Sequence, residues 1–113
     1  MDSKFSKLRV WQKAREVVRA VYVITAGIHD DGLRDQMRRA AISIVSNIAE
    51  GAGRRTDADF RRFLSIARGS CSELQAQLVV AADCRFIDGD SHALVGDLVD
   101  HTGRMISSLM QRM

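Results

Sequence analysis

The sequence predicts an all-α protein: an antiparallel up-down-up-down four-helix bundle. Three observations carry that prediction. Proline is absent, so no residue lacks a backbone donor or forces a kink inside a helix. Apolar residues recur three and four apart over long stretches, which is the period of a helix face. Three short breaks rich in glycine and aspartate or arginine divide those stretches into four pieces of similar length. Each piece has about 20 residues, hence about 30 Å of helix at about 1.5 Å per residue. Equal helices with short connections stack side by side in alternating directions.

The first helix is expected over about residues 8–28, with Trp11, Ala14, Val18, Val21, Tyr22, Thr25 and Ile28 on one face. Tyr22 and Trp11 read as core or interface residues. The run GIHDDG, residues 27–32, ends it, because glycine and aspartate favour turns. The second is expected over about residues 33–52, with Leu33, Met37, Ala40, Ala41, Ile44, Val45 and Ile48 inward. Gly51 and Gly53 can take the left-handed conformation that closes a helix. Thr56 or Asp57 can cap the third helix, and Asp59 suits its first turn, where the helix dipole favours an anion.

The third helix is expected over about residues 58–85, with Phe60, Phe63, Leu64, Ala67, Cys71, Leu74, Leu78 and Ala81 as its buried face. Gly69 interrupts it. Glycine inside a helix costs about 1 kcal/mol relative to alanine, and the usual compensation is close approach of another backbone, here the small Ala40 and Ala41 or a neighbouring subunit. After DGDS, residues 88–91, the fourth helix is expected over about residues 91–112, with Leu94, Leu98, Thr102, Met105, Leu109 and Met110 inward. Residues 1–113 read as a single domain without repeats or linkers.

Composition narrows the function classes. No run approaches the 18 or so apolar residues of a membrane span, and the charged opening MDSKFSKLRV lacks the apolar stretch of a signal peptide. A cytoplasmic location without membrane contact is therefore expected. Cys71 and Cys84 do not have zinc-site spacing and read as reduced thiols in or near the core. Net charge is +3, and it is segregated. Residues 32–72 hold eight arginines against Asp35, Glu50, Asp57 and Asp59, whereas residues 83–113 hold three arginines against five aspartates. Such segregation favours an anionic partner over a uniformly solvated surface.

SNIAEGAGRR, residues 46–55, is the most unusual stretch. It is no Walker loop, because GAGRR lacks the lysine, the preceding strand and the spacing that ring a phosphate. A dinucleotide loop fails because Thr56 stands where its third glycine belongs. The stretch reads as a helix end. Asn47 and Glu50 then lie beside the apolar stripe, and a polar group at a packed position needs a partner or costs about 1–3 kcal/mol. Backbone groups or arginines are the expected partners.

No catalytic residues, cofactor or metal are expected. Ser43, Ser46, Ser65, Ser70 and Ser72 are plentiful, but no histidine shares the second and third helices with them. Asp97 and His101 form one i, i+4 pair. A di-iron bundle needs glutamates on two helices and Glu-x-x-His on two more, and this chain has only Glu16, Glu50 and Glu73 and no such motif. The arginines are the stronger lead. Arg34, Arg38, Arg39, Arg54, Arg55, Arg61, Arg62 and Arg68 could gather into a stripe if the second and third helices lie antiparallel. Guanidinium forks suit phosphate, so the stripe would bind a nucleic-acid backbone with strong salt dependence and little sequence preference. The same arginines could instead pair with carboxylates of neighbouring subunits. Few aromatics are available, and base stacking is not expected.

The segments LRVWQKAREVVRAVY (8–22), QMRRAAISIVSNIAEGAGR (36–54) and DFRRFLSIARGSCSEL (59–74) closely resemble the four-helix-bundle family of ribosomal-RNA intervening-sequence proteins. That family also includes the accessory variability protein of diversity-generating retroelements. The family motif falls here on Arg38, Arg39, Ser43, Asn47, Glu50, Gly51, Gly53 and Arg54, and on Arg68, Gly69 and Glu73. Val45 stands where the family often has proline. The resemblance implies a bacterial protein that assembles into a ring-like homopentamer. The retroelement branch binds nucleic acid, RNA or DNA, through a basic surface and also binds its reverse transcriptase. The expectation is a non-catalytic oligomeric nucleic-acid-binding adaptor. The alternative is a scaffold that binds a reverse transcriptase or another protein without touching nucleic acid.

Overall fold

The structure is a computed structural model that describes residues 8–113. Four helices follow one another: α1 (Arg9–Thr25), α2 (Asp31–Ala52), α3 (Asp57–Asp83) and α4 (Gly89–Gln111). Each packs on its neighbours in sequence, and α1 closes the bundle against α4. The most extensive interface is α2 on α3. Cross-helix contacts run in opposite senses. Gly51 of α2 meets Phe60 and Phe63 of α3, while Ser43 meets Ser70. Arg68 of α3 meets Ser107 of α4, while Gln75 meets Gly96. Both pairs of helices are therefore antiparallel.

Three helices begin on a side chain that accepts from an unpaired backbone N–H, the usual role of an N-cap. Asp30 accepts from Leu33, Thr56 from Asp59 and Asp88 from Ser91, at 2.9, 3.1 and 2.7 Å. The aspartate caps start α2 and α4 two residues before the sequence reading placed them. For α3, where the sequence offers Thr56 or Asp57, the cap is Thr56, and Asp57 and Asp59 lie in the first turn. The Asp88 carboxyl is held below the usual carboxylate range, chiefly by accepting from the Ser91 backbone.

Helix α3 stops two residues before expected. Phe86 N–H bonds to Ala81 C=O at 2.9 Å and Arg85 N–H to Ala82 C=O at 3.0 Å. This pair of bonds is the Schellman arrangement, which needs a left-handed residue just past the helix end. That residue is Arg85, with φ 60°. No described glycine has positive φ, so the expected left-handed closure at Gly51 and Gly53 does not occur. Gly51 lies inside α2, and Gly53 caps it with φ −85°.

The core contains Ala14, Val17, Val21, Met37, Ile44, Ile48, Leu64, Leu74, Leu78, Val99 and Ile106, none with measurable exposure. Burying a Leu, Ile or Val side chain contributes about 1.5–3 kcal/mol. The α2 and α3 stripes are those the sequence predicts, with Leu33, Val45 and Phe63 only partly buried. On α4 the buried line is Val95, Val99, Thr102, Gly103 and Ile106, and Leu94 is 74% exposed. On α1 the buried line is Val10, Ala14, Val17, Val21 and Thr25. Trp11 and Val18 flank it, and Tyr22 is exposed rather than core.

Candidate nucleic-acid interface

The antiparallel order brings the start of α1, the α2–α3 corner and the end of α4 to one end of the bundle. Residues 8–13, 50–62 and 109–113 carry there Arg9, Lys13, Arg54, Arg55, Arg61, Arg62 and Arg112, against Glu50, Asp57 and Asp59. The opposite end gathers Asp30, Asp31, Asp35, Asp83, Asp88 and Asp90 around the α1–α2 and α3–α4 turns, against Arg34 and Arg85. The charge segregation of the sequence thus becomes a separation between the two ends of the molecule.

At the basic corner one ring organises two cations. The guanidinium carbons of Arg54 and Arg62 lie 4.8 and 4.5 Å from the centroid of Phe63. Such contacts contribute about 0.5–1 kcal/mol at exposed sites; here they also fix where the charges sit. Arg54 pairs with Glu50 at 3.2 Å, and Arg61 donates to the carbonyl oxygen of Met113. Arg55 is exposed and has no ion pair among the described residues. Gly51 sets the geometry beneath them, because its missing side chain lets α3 press Phe60 and Phe63 onto α2.

The other arginines do not join this group into one stripe. Arg34 pairs with Asp31 and Asp35 at 3.0 and 3.2 Å. Arg38 stacks on Tyr22 at 4.4 Å and donates from Nε to Thr25 Oγ1 at 2.9 Å. Arg39 is exposed on the outer side of α2. Arg68 turns toward α4, donates to Ser107 Oγ at 3.1 Å and fills the space beside Gly103. It serves the α3–α4 contact.

The polar residues of α2 find the partners their position requires. Asn47 Nδ2 donates to the Ser43 carbonyl at 2.8 Å and to Ser43 Oγ at 3.0 Å. Ser70 of α3 donates to Ser43 Oγ at 2.9 Å, which ties the two helices together. Above this chain lies a shallow groove lined by Gln36, Arg39, Ala40, Ser43 and Glu73. Gly69 sits on the exposed side of α3, and a Cβ there would meet nothing within 4 Å. The expected close approach at Gly69 is absent within the protomer; Gly51 and Gly103 are the tight positions.

No three His, Cys, Asp or Glu side chains come together as a metal site among the described residues. Asp97 and His101 are both exposed on α4. No described helix is long and apolar enough to cross a membrane. Burial pushes the Cys71 thiol up to about 11, against the opposing charge of Arg68.

Residues 6–108 match the family model described as 23S rRNA-intervening sequence protein. The chain belongs to the 23S rRNA-intervening sequence protein family. Among curated proteins there is no match. A similar solved structure is the 1.70 Å crystal structure of a protein of unknown function from the S23 ribosomal protein family of Bacteroides thetaiotaomicron. It superposes with a TM-score of 0.83 at 19% identity, over 89% of this chain and 97% of that one. That likeness establishes a shared fold. In this intervening-sequence family member, several of the motif residues gather at two places, while Arg38 stacks on Tyr22, Arg68 reaches Ser107 and Gly69 stays on the open side of α3. Arg54, Glu50 and Gly51 build the basic corner, and Arg39, Ser43 and Glu73 line the α2–α3 groove, with Asn47 bonded to Ser43 beneath it.

Proposed function

We propose that the protein is a non-catalytic, cytoplasmic adaptor that binds the phosphate backbone of RNA or DNA through the α2–α3 corner. The observation that carries the reading is the pair of guanidiniums of Arg54 and Arg62 held on Phe63 with exposed Arg55 and Arg61 beside them. Arginine's planar fork of donors suits phosphate oxygens, and contacts of this kind position a protein on a duplex without reading its sequence. An acidic opposite end repels the same polyanion and so favours approach by the corner. Self-association, as the family resemblance implies, would present several corners together and multiply weak contacts through effective concentration.

The test is a matched comparison of binding to labelled duplex RNA and DNA at fixed low salt. Replacing Arg55 and Arg61 by alanine is expected to weaken binding by about tenfold or more, a loss of about 1.4 kcal/mol. Replacing Arg19 and Arg104, which lie away from the corner, is expected to change it by less than about twofold. Equal losses in both variants would mean that net charge alone governs binding and would remove the corner's role.

A second reading is a protein-binding scaffold, for a reverse transcriptase or another partner. What favours it is the set of exposed apolar side chains away from the corner, chiefly Val23 at 75% and Leu94 at 74% exposure. Single exposed apolar residues are ordinary on a soluble surface, so this reading stands second.

A further inference from the structure

An open groove of about 370 Å³ runs between α1 and α2, lined by Tyr22, Asp35, Arg38, Arg39 and Ile42. We propose that this groove binds an unpaired nucleotide, the base stacking on the Tyr22–Arg38 pair and the phosphate resting on Arg39. The inference rests on the nucleic-acid reading and adds to it a separate site, about 20 Å along α2 from the corner at about 1.5 Å per residue.

No stacking platform is expected from the sequence, because Tyr22 reads as a core or interface residue. The structure leaves it 39% exposed. Its ring carries the Arg38 guanidinium at 4.4 Å, and Thr25 Oγ1 accepts from Arg38 Nε at 2.9 Å. The planar cation is therefore held at its edge and on one face. Both stacked groups line the groove, so a base laid there extends a stack already begun. Aromatic rings and guanidinium planes are the surfaces on which proteins hold splayed-out bases. Arg39 supplies a positive charge with no ion pair among the described residues. Asp35 sits on the same rim with its Oδ1 taken by Arg34 at 3.2 Å and its Oδ2 without a protein partner among the described residues, which orients the ligand: phosphate toward the unpaired Arg39, base toward Asp35. An exocyclic amine of adenine, guanine or cytosine can donate to that carboxylate. A protein contact would want apolar anchors, and Ile42 is the only aliphatic side chain in the lining.

The chain has one tyrosine, so the ring protons of Tyr22 are a direct probe. The full chain is titrated with AMP and, separately, with ribose 5-phosphate, and the tyrosine ring resonances are followed by NMR. AMP is expected to shift them, and ribose 5-phosphate to leave them in place. In parallel, a labelled single-stranded oligoadenylate and a duplex are bound to variants whose folding is checked by thermal melting. Arg38→Lys keeps the charge and loses the planar face; Tyr22→Leu keeps apolar bulk and loses the ring. Each is expected to weaken single-strand binding by about fivefold or more and to leave duplex binding unchanged, while Tyr22→Phe binds as the parent does. Unshifted tyrosine resonances with AMP, or full single-strand affinity in both Arg38→Lys and Tyr22→Leu, would overturn the proposal and make the groove a protein-facing surface. Duplex binding that does not depend on the corner arginines, together with an intact AMP response, would instead count against the corner alone.

Discussion

Gly51 lies directly against Phe63: a Cβ at position 51 would stand 2.8 Å from the Phe63 Cβ. The same atom would be 2.8 Å from Phe60 Cδ1 and 3.2 Å from the Phe60 carbonyl oxygen. Two of these neighbours are backbone or the first side-chain carbon, so they cannot move without moving α3. The absence of a side chain at residue 51 thus positions the ring on which Arg54 and Arg62 rest.

Gly51→Ala is expected to destabilise the protein by about 1–3 kcal/mol, the usual penalty of overpacking, even though alanine is intrinsically better in a helix by about 1 kcal/mol. Gly69→Ala meets nothing within 4 Å and should gain about 0.5–1 kcal/mol from helix propensity. Urea midpoints of the two variants check the contrast. Opposite signs are expected; a shared sign would mean that the α2–α3 contact is misplaced.

Arg85 holds a left-handed conformation at φ 60° to close α3. A non-glycine residue there carries about 1–2 kcal/mol of steric cost. Arg85→Gly should raise stability by about 1 kcal/mol and leave the Schellman bonds of Arg85 and Phe86 intact. Thermal melting would show a rise of several degrees, and Arg85→Val, with a branched Cβ, a fall.

The two thiols should behave differently. Cys84 is exposed and Cys71 is buried, with its pKa raised from 9.0 to about 11 by burial. A thiol reagent at pH 8 should label one cysteine quickly and the second only on unfolding. The raised folded pKa also fixes a pH dependence. The folded state keeps the proton that the unfolded state releases, so this contribution is complete below about pH 9. It is lost as pH rises toward about 11, at a slope up to about 1.4 kcal/mol per unit. The difference in stability between the parent and Cys71→Ala across that window isolates it.

The fold was legible in the sequence because the breaks were. GIHDDG, GRRTD and DGDS contain the three caps Asp30, Thr56 and Asp88, and the helices start from them. Which face points inward was harder to read on α1 and α4, where apolar residues come in adjacent pairs such as Val17–Val18, Val21–Tyr22 and Leu94–Val95. Two stripes about 100° apart then satisfy the same period, and only packing against the other helices selects between them. The glycines misled for a related reason. A glycine signals either an unusual φ or a close neighbour, and a sequence shows neither directly. Gly51 read as a helix stop and is a contact; Gly69 read as a contact and is open. Of the candidate site, the arginine types and their concentration were legible, but not their division among Phe63, Tyr22 and Ser107, which depends on which helix each side chain reaches.

The central claim is that the α2–α3 corner holds nucleic acid by phosphate contact. Its most direct test is the affinity of the protein for a labelled duplex across a salt series. Contact by the four corner arginines predicts that log K falls linearly with log salt at a slope of about −3 to −4, and that replacing Arg54 and Arg55 by alanine makes the slope shallower by about 2. No binding at low salt, or a slope unchanged by those substitutions, would contradict the account.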